Sequence, residues 1–216
     1  MEKSLSKLYA RAWINSTTRF NAVRRLRRRD TFATYSIAMF SAMALSIAVS
    51  QKVFPIKQGS PIDNYLTALS AFLGLFVLVI SLIEAGEQSL VKAYQLEVNA
   101  LNLRDFMYKI EFRIDAIAEG HLSTQNELRQ LREEYEKIIQ TCPQNHEPVD
   151  YALTRAVHRT DERLTKSRKP CNEKNPSMLR FSALWVQMAA SFSGIGYYLL
   201  FWLIILALIV QAIFGY

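Results

Sequence analysis

Side chains able to do chemistry are present in this sequence, but they do not assemble into a reactive set. His121, His146 and His158 stand far apart, and none has a partner at catalytic spacing. There is no His-Glu-x-x-His, no Gly-rich phosphate loop and no Gly-x-Ser-x-Gly elbow, the spacings that bring a metal, a phosphate or an activated serine onto one turn. Cys142 and Cys171 bracket His146 and His158, but structural zinc draws its ligands from close pairs, and these four are not so paired. No catalytic residue, cofactor site or metal site is predicted. The carboxylates read mostly as helix-surface partners of basic residues, as with Glu133 and Lys137 four positions apart.

The elements that would carry function are apolar. No Asp, Glu, Lys or Arg occurs from Thr31 to Gln51, from Asn64 to Ile83, or from Phe181 to Tyr216. A helix needs about 20 mainly apolar residues to cross a hydrocarbon core of about 30 Å, and each stretch meets that length. A buried helix of a soluble protein would normally keep one polar face, and these have none.

Charge sets the expected orientation. The first 30 residues hold nine Lys and Arg against Glu2 and Asp30, a net +7 that equals the charge of the whole chain. The connector between the first two spans carries only Lys52 and Lys57. Short basic flanks stay in the cytoplasm, so the expected location is the bacterial inner membrane, multi-pass. The N-terminus and the central domain are then cytoplasmic and the C-terminus outside. Arg24, Arg25, Arg27, Arg28 and Arg29 are expected at lipid headgroups. The same cluster could contact nucleic acid, but it adjoins a span and has only Phe20 and Phe32 as near aromatics, so direct nucleic-acid binding is not expected. Both cysteines fall in the cytosolic part, where thiols stay reduced. The charged leader and the long apolar run behind it do not fit a cleaved signal peptide.

The expected fold is an all-α integral membrane protein. It has an N-terminal transmembrane helical hairpin, a long helix continuing into a cytosolic helical domain, and a C-terminal third transmembrane helix. The boundaries are a basic leader 1–30, the hairpin 31–83, the cytosolic domain 84–168, a linker 169–180 and a membrane or interfacial segment 181–216. Pro55, Gly59, Ser60 and Pro61 make the outer turn, and Asp63 suits the positive end of the second span. Leu103, Phe106, Ile110, Ile114 and Ile117 recur at steps of three and four, which predicts one helix from the second span to Gly120, with Gly86 as its weak point. Thr124 and Glu127 have capping-box spacing. Leu128, Leu131, Tyr135 and Ile138 form the stripe that follows, and Pro148 opens another helix. That helix is expected to carry Arg155, Arg159 and Arg163 at spacing four, a basic ridge. Gly194 and Gly196 would mark a change of direction in the long last segment.

Two features of the spans carry functional expectations. Thr67, Ala71, Gly74, Leu78, Ser81 and Ala85 form one stripe of mostly small residues, and Ala38, Ser41, Ala42, Leu45 and Ala48 form a comparable face on the first span. Small residues let membrane helices approach closely. The stripe either packs the hairpin on itself or lines or assembles a pore in a homo-oligomer. Glu84 and Glu87 sit where the second span leaves the membrane. They are either acidic rings at a cytosolic pore mouth or solvated residues paired with neighbours such as Lys92.

Three stretches resemble the SLATT family of bacterial two-span effectors. They are the leader Thr17 to Leu26, the polar continuation Glu84 to Leu103, and Tyr135-x-x-Ile138-Ile139 followed by Asn145, His146, Glu147, Asp150 and Tyr151. The third span is similar to a branch partnered with reverse transcriptases. The resemblance implies a non-enzymatic effector of an anti-phage system, a homo-oligomer in membrane lipid. A sensor enzyme, a nucleotidyltransferase or a reverse transcriptase system, would trigger it to permeabilise the membrane. Asn145, His146, Asp150 and Tyr151 are expected to cap the last cytosolic helix or to contact a partner. A membrane-anchored scaffold that docks a soluble partner, and a small ion channel outside defence, remain the alternatives.

Overall fold

The computed structural model describes residues 2–120, 124–158, 161, 163, 185–186, 188–189, 192 and 195–214. The expectations placed on His121, Arg159, Cys171, Gly194 and the linker 169–180 fall outside them. Among the described residues six helices are bounded: α1 (Glu2–Val53), α2 (Pro61–Glu87), α3 (Ser89–Ala118), α4 (Gln125–Gln140), α5 (Pro148–Val157) and α6 (Gly196–Phe214). The class is all-α, with no strand among the described residues. Two helices, α1 and the α2–α3 run, are long and apolar enough to cross a membrane.

Local chemistry explains the helix ends. Ser60 caps α2 by accepting from the Asp63 N–H at 3.2 Å, Pro61 occupies the first turn, and Gly59 supplies the positive φ of the turn before it. Thr124 and Glu127 form the reciprocal capping box at the start of α4. Between α2 and α3 the helix predicted to run unbroken to Gly120 is interrupted. Gln88 adopts the left-handed region at φ 49 and ψ 45 and donates its N–H to the Glu84 carbonyl at 3.1 Å. This bond satisfies a carbonyl that the ending helix would otherwise leave open. Gly86, the expected weak point, stays inside α2 with open space around it.

The chain divides into two compact units. The helical unit comprises Met1–Leu26 and Leu90–Ser193, and the hairpin unit Arg27–Ser89 and Gly194–Tyr216. The leader expected to stand apart as 1–30 is therefore, up to Leu26, a member of the helical unit. The reason is its own apolar positions. Leu5, Leu8, Ala12, Trp13 and Ile14 are buried in one core with Leu103, Phe106, Met107 and Ile110 of α3 and Leu128 and Tyr135 of α4. Ile114, Ile117, Leu131 and Ile138 pack on its edge, so the sequence stripes on α3 and α4 are the faces that pack. A second cluster joins Ala22, Val23 and Leu26 of α1 to Ala93 and Leu96 of α3, with Cys142 against it.

In the hairpin unit Ala33 and Phe40 of α1, Leu69, Leu73 and Ile80 of α2, and Tyr198 and Ile205 of α6 share one core. Aromatic pairs set its thickness, with Phe40 and Trp202 at 4.8 Å and Phe76 and Phe201 at 5.0 Å between centroids. The Tyr65 hydroxyl, near the start of α2, donates to the Leu208 carbonyl, and Trp202 Nε1 donates to Ser36 Oγ at 3.1 Å. Tyr198, at the other end of α6, donates to Glu84, so α6 runs antiparallel to α2.

Phe106 is 1 % exposed and Phe112, six residues on, is 71 % exposed. Phe106→Ala should therefore cost the full-length protein about 3–5 kcal/mol in chemical denaturation, and Phe112→Ala should stay within about 0.5 kcal/mol of the parent.

Candidate functional site

The hairpin unit presents its small residues outward. Leu69, Leu73 and Ile80 are the buried line of α2, whereas Thr67, Ala71, Gly74, Leu78, Ser81 and Ala85 are all exposed. Nothing lies within 4 Å of the position a Gly74 Cβ would occupy. On α1 the same division holds: Ala33, Ser36 and Phe40 face inward, and Ala38, Ser41, Ala42, Leu45 and Ala48 are exposed. The reading in which the stripe packs the hairpin on itself is thus corrected. Large side chains make the internal contacts because they alone fill the space between three helices. Of the α2 stripe, Thr67 is bonded within the unit, to Gln51, and the stripe residues of both helices are solvent- or lipid-exposed.

At one end of this unit Glu84 is a hub. Its side chain is 14 % exposed and accepts from Arg29 Nε at 3.0 Å, from Ser89 Oγ at 3.3 Å and from the Tyr198 hydroxyl. Arg29 also reaches Glu87 at 3.5 Å. One arginine of α1 therefore serves both carboxylates expected at a pore mouth, and α6 is tied to the same oxygen. Asp30 beside it is raised above the ordinary carboxylate value, by burial first and then by the Glu84 charge. At the opposite end Gln51 Nε2 donates to the Asp63 carboxylate at 2.9 Å and to Thr67 Oγ1 at 3.0 Å, which closes the turn between α1 and α2.

The arginine cluster does not act as one headgroup patch. Arg24, Arg27 and Arg28 are exposed. Arg25 is buried in the helical unit, with Nε and Nη2 on the two Asp150 oxygens at 3.0 and 3.1 Å and Nη1 on Glu147 at 2.9 Å. Arg25 and Arg29 are thus removed from the expected lipid contact, because each lies on a face of α1 that meets carboxylates. Burial alone would work against the Arg25 charge, but the bonds and charges of Asp150 and Glu147 outweigh it and hold Arg25 above its ordinary value.

The family-like loop is brought to the same place. Asp150 Oδ2 also accepts the Glu147 N–H at 2.9 Å, so it caps α5 while pairing with Arg25. Asn145 Oδ1 accepts the His146 N–H at 2.9 Å, and Tyr151 packs on the main core of the unit. His146 is half-buried, and its pKa is lowered by burial and then by the Arg19 charge. Asn21 donates to the Asp150 carbonyl at 3.3 Å and to Thr154 Oγ1 at 2.9 Å, and Thr18 and Thr154 are bonded at 3.0 Å. Sequence reasoning had missed Thr18, Arg19, Asn21 and Thr154 as members of this site. The available signal was a row of polar residues at 18, 21 and 25, one helical face, beside the apolar Ala22, Val23 and Leu26.

A family model described as SMODS and SLOG-associating 2TM effector domain family 5 matches residues 1–214. The chain belongs to that family. No curated protein and no solved structure matches it. Effector domains of this family are named for association with SMODS and SLOG modules and for two transmembrane helices, and α1 and α2 supply apolar stretches of that kind. In this 2TM effector domain the residues that resemble the family in the leader and in the 145–151 segment meet through Arg25, Asn21 and Asp150.

Asp150 is 1 % exposed, and breaking a buried pair by removing one partner strands the other charge. Asp150→Ala should destabilise the full chain by about 3–5 kcal/mol, read as a lowered denaturation midpoint. Glu147→Ala, whose side chain is 56 % exposed, should cost less than about 1 kcal/mol.

Proposed function

We propose that this chain is the membrane effector of a bacterial anti-phage system, one that associates with further copies of itself and permeabilises the inner membrane when a sensor enzyme triggers it. The observation that carries the reading is the outward small-residue face. In lipid no hydrophobic force drives helices together, so close packing of Gly, Ala, Ser and Thr is what association draws on. A face of that kind, exposed on both α1 and α2, suits contact with a second copy. The chain acts by this route without catalysis, and its sensor partner is a nucleotidyltransferase or a reverse transcriptase system.

In this reading α6 is a third span. Its 19 residues reach about 28 Å as a helix, close to a hydrocarbon thickness. Its antiparallel course beside α2 suits a C-terminus outside, with the basic N-terminal region and the 84–168 segment cytoplasmic. Tyr198 on Glu84 and Trp202 on Ser36 then hold the resting hairpin. With Glu84 and Glu87 both paired to Arg29, the pore-mouth carboxylates are held at rest, and opening releases them. The scaffold alternative draws on Leu90, Val91, Tyr94 and Val98 of α3, which are exposed and could dock a soluble partner.

A potential-sensitive dye in cells producing the protein with its sensor partner, challenged by phage, tests this. The parent should depolarise the cells. Gly74→Leu, at a position where an added Cβ meets nothing within 4 Å, should abolish most of the signal by blocking close approach. Tyr198→Phe should raise depolarisation without phage several-fold. An intact potential in triggered cells would leave the protein as a non-conducting anchor.

A further inference from the structure

α1 buries two arginines in the helical unit, and among the described residues a counter-anion is found for Arg25 and not for Arg19. Arg25 is paired as described. Arg19, 4 % exposed, has Nε and Nη1 enclosed with no acceptor. Burial lowers its pKa, and the side chains that favour its charge, Cys142 and Tyr135, include no carboxylate. A guanidinium does not escape this cost by shedding its proton, as a lysine can. A buried cation of this kind calls for an anion.

The surroundings hold further unsatisfied groups. Ser16 Oγ donates to the Ala100 carbonyl at 2.9 Å, and Ala22 and Val23 share a cluster with Leu96, so Arg19 faces the 95–100 stretch of α3. There Gln95 Oε1 and Asn99 Oδ1 are buried without donors, and on the loop after α4 His146 Nδ1 is buried without a partner. Asn99 is fixed by its Nδ2, which donates to the Ile138 carbonyl at 2.6 Å, leaving Oδ1 as a true acceptor. The Cys142 thiol is held between the Gln95 and Gln144 carbonyls at 3.7 and 3.2 Å. Two guanidinium N–H groups, an imidazole nitrogen and an amide oxygen thus lie in one region of the helical unit, each buried without a hydrogen-bond partner among the described residues.

We propose that this cluster is a binding site for a small oxyanion of the phosphate-monoester class. Arg19 Nε and Nη1 donate to two of its oxygens, and His146, with its proton on Nδ1, donates to a third. Asn99 Oδ1 accepts from the proton that hydrogen phosphate keeps at neutral pH, or from that of a monoester bound as its monoanion. That last bond separates phosphate from sulfate, which has no proton to offer at neutral pH and would leave Asn99 unsatisfied. The site does not depend on what the membrane helices conduct, so its failure would leave the effector reading untouched.

The test uses the full-length protein in a phosphate-free detergent and buffer, with radiolabelled inorganic phosphate in equilibrium dialysis and a thermal melt alongside. Phosphate should bind saturably and, at roughly a hundredfold excess over Kd, raise the melting temperature by about 5 °C. Sulfate should bind at least about tenfold more weakly. Arg19→Met should abolish binding without lowering the melting temperature of the unliganded protein, since it removes a buried charge. His146→Phe, outside the helix core, should weaken binding even if Arg19→Met does not fold. Displacement of the label by glycerol phosphate alone would assign the site to soluble monoesters, and displacement by micellar phosphatidic acid to lipid headgroups. No saturable binding, or equal binding by the parent and both variants, would overturn the proposal.

Discussion

α1 runs for 52 residues without a glycine or a proline, and both cores are built on it. Leu5 to Leu26 gives one face to α3, α4 and α5, and Phe32 to Ile47 gives another to α2 and α6. Helix propensity is weak residue by residue, but over this length only Pro55 intervenes to stop it. Every other element must therefore meet a surface already fixed by the 3.6-residue period of a single helix. Polar residues of α1 that fall on the packed face, Arg19, Asn21 and Arg25 among them, must find their partners there or go without.

That constraint shapes the two units in different ways. In the helical unit water can drive apolar packing, and buried polar groups are tolerated when bonded, as Thr18, Asn21 and Thr154 are. In the hairpin unit the bulky residues interlock and hydrogen bonds appear at intervals along α6, at Tyr198, Trp202 and Leu208. Membrane helices rely on such contacts because lipid competes with apolar packing. What remains outside includes large side chains such as Tyr35, Phe72, Leu75 and Leu82 beside the small-residue stripes, and the stripes are the basis of the proposed assembly.

The parts legible in the sequence were those with a local signature. The spans follow from charge-free length, α4 from the Thr124 and Glu127 box, α5 from Pro148, and the buried faces of α3 and α4 from their 3–4 stripes. Three features were not legible. Which face of an apolar span packs inward cannot be read from hydropathy when both faces are apolar, and the choice between Leu73 and Gly74 depends on the volume three helices must fill. The turn at Gln88 falls on a residue with no breaker chemistry, stabilised by its bond to the Glu84 carbonyl. The Arg25 to Asp150 pair joins positions 125 apart, and a run of five arginines between 24 and 29 looks like a lipid patch until the packed side of α1 is known.

The claim on which the account turns is that copies of the chain meet through the small outward faces. Thiol cross-linking in native membranes tests it most directly, with Cys142 and Cys171 replaced by serine and a single new cysteine at Ala71→Cys or Leu73→Cys. Ala71 is exposed and Leu73 is fully buried. A short bifunctional maleimide should join chains carrying Ala71→Cys into covalent dimers and leave chains carrying Leu73→Cys as monomers. Monomers from both, or dimers from Leu73→Cys alone, would contradict assembly through this face.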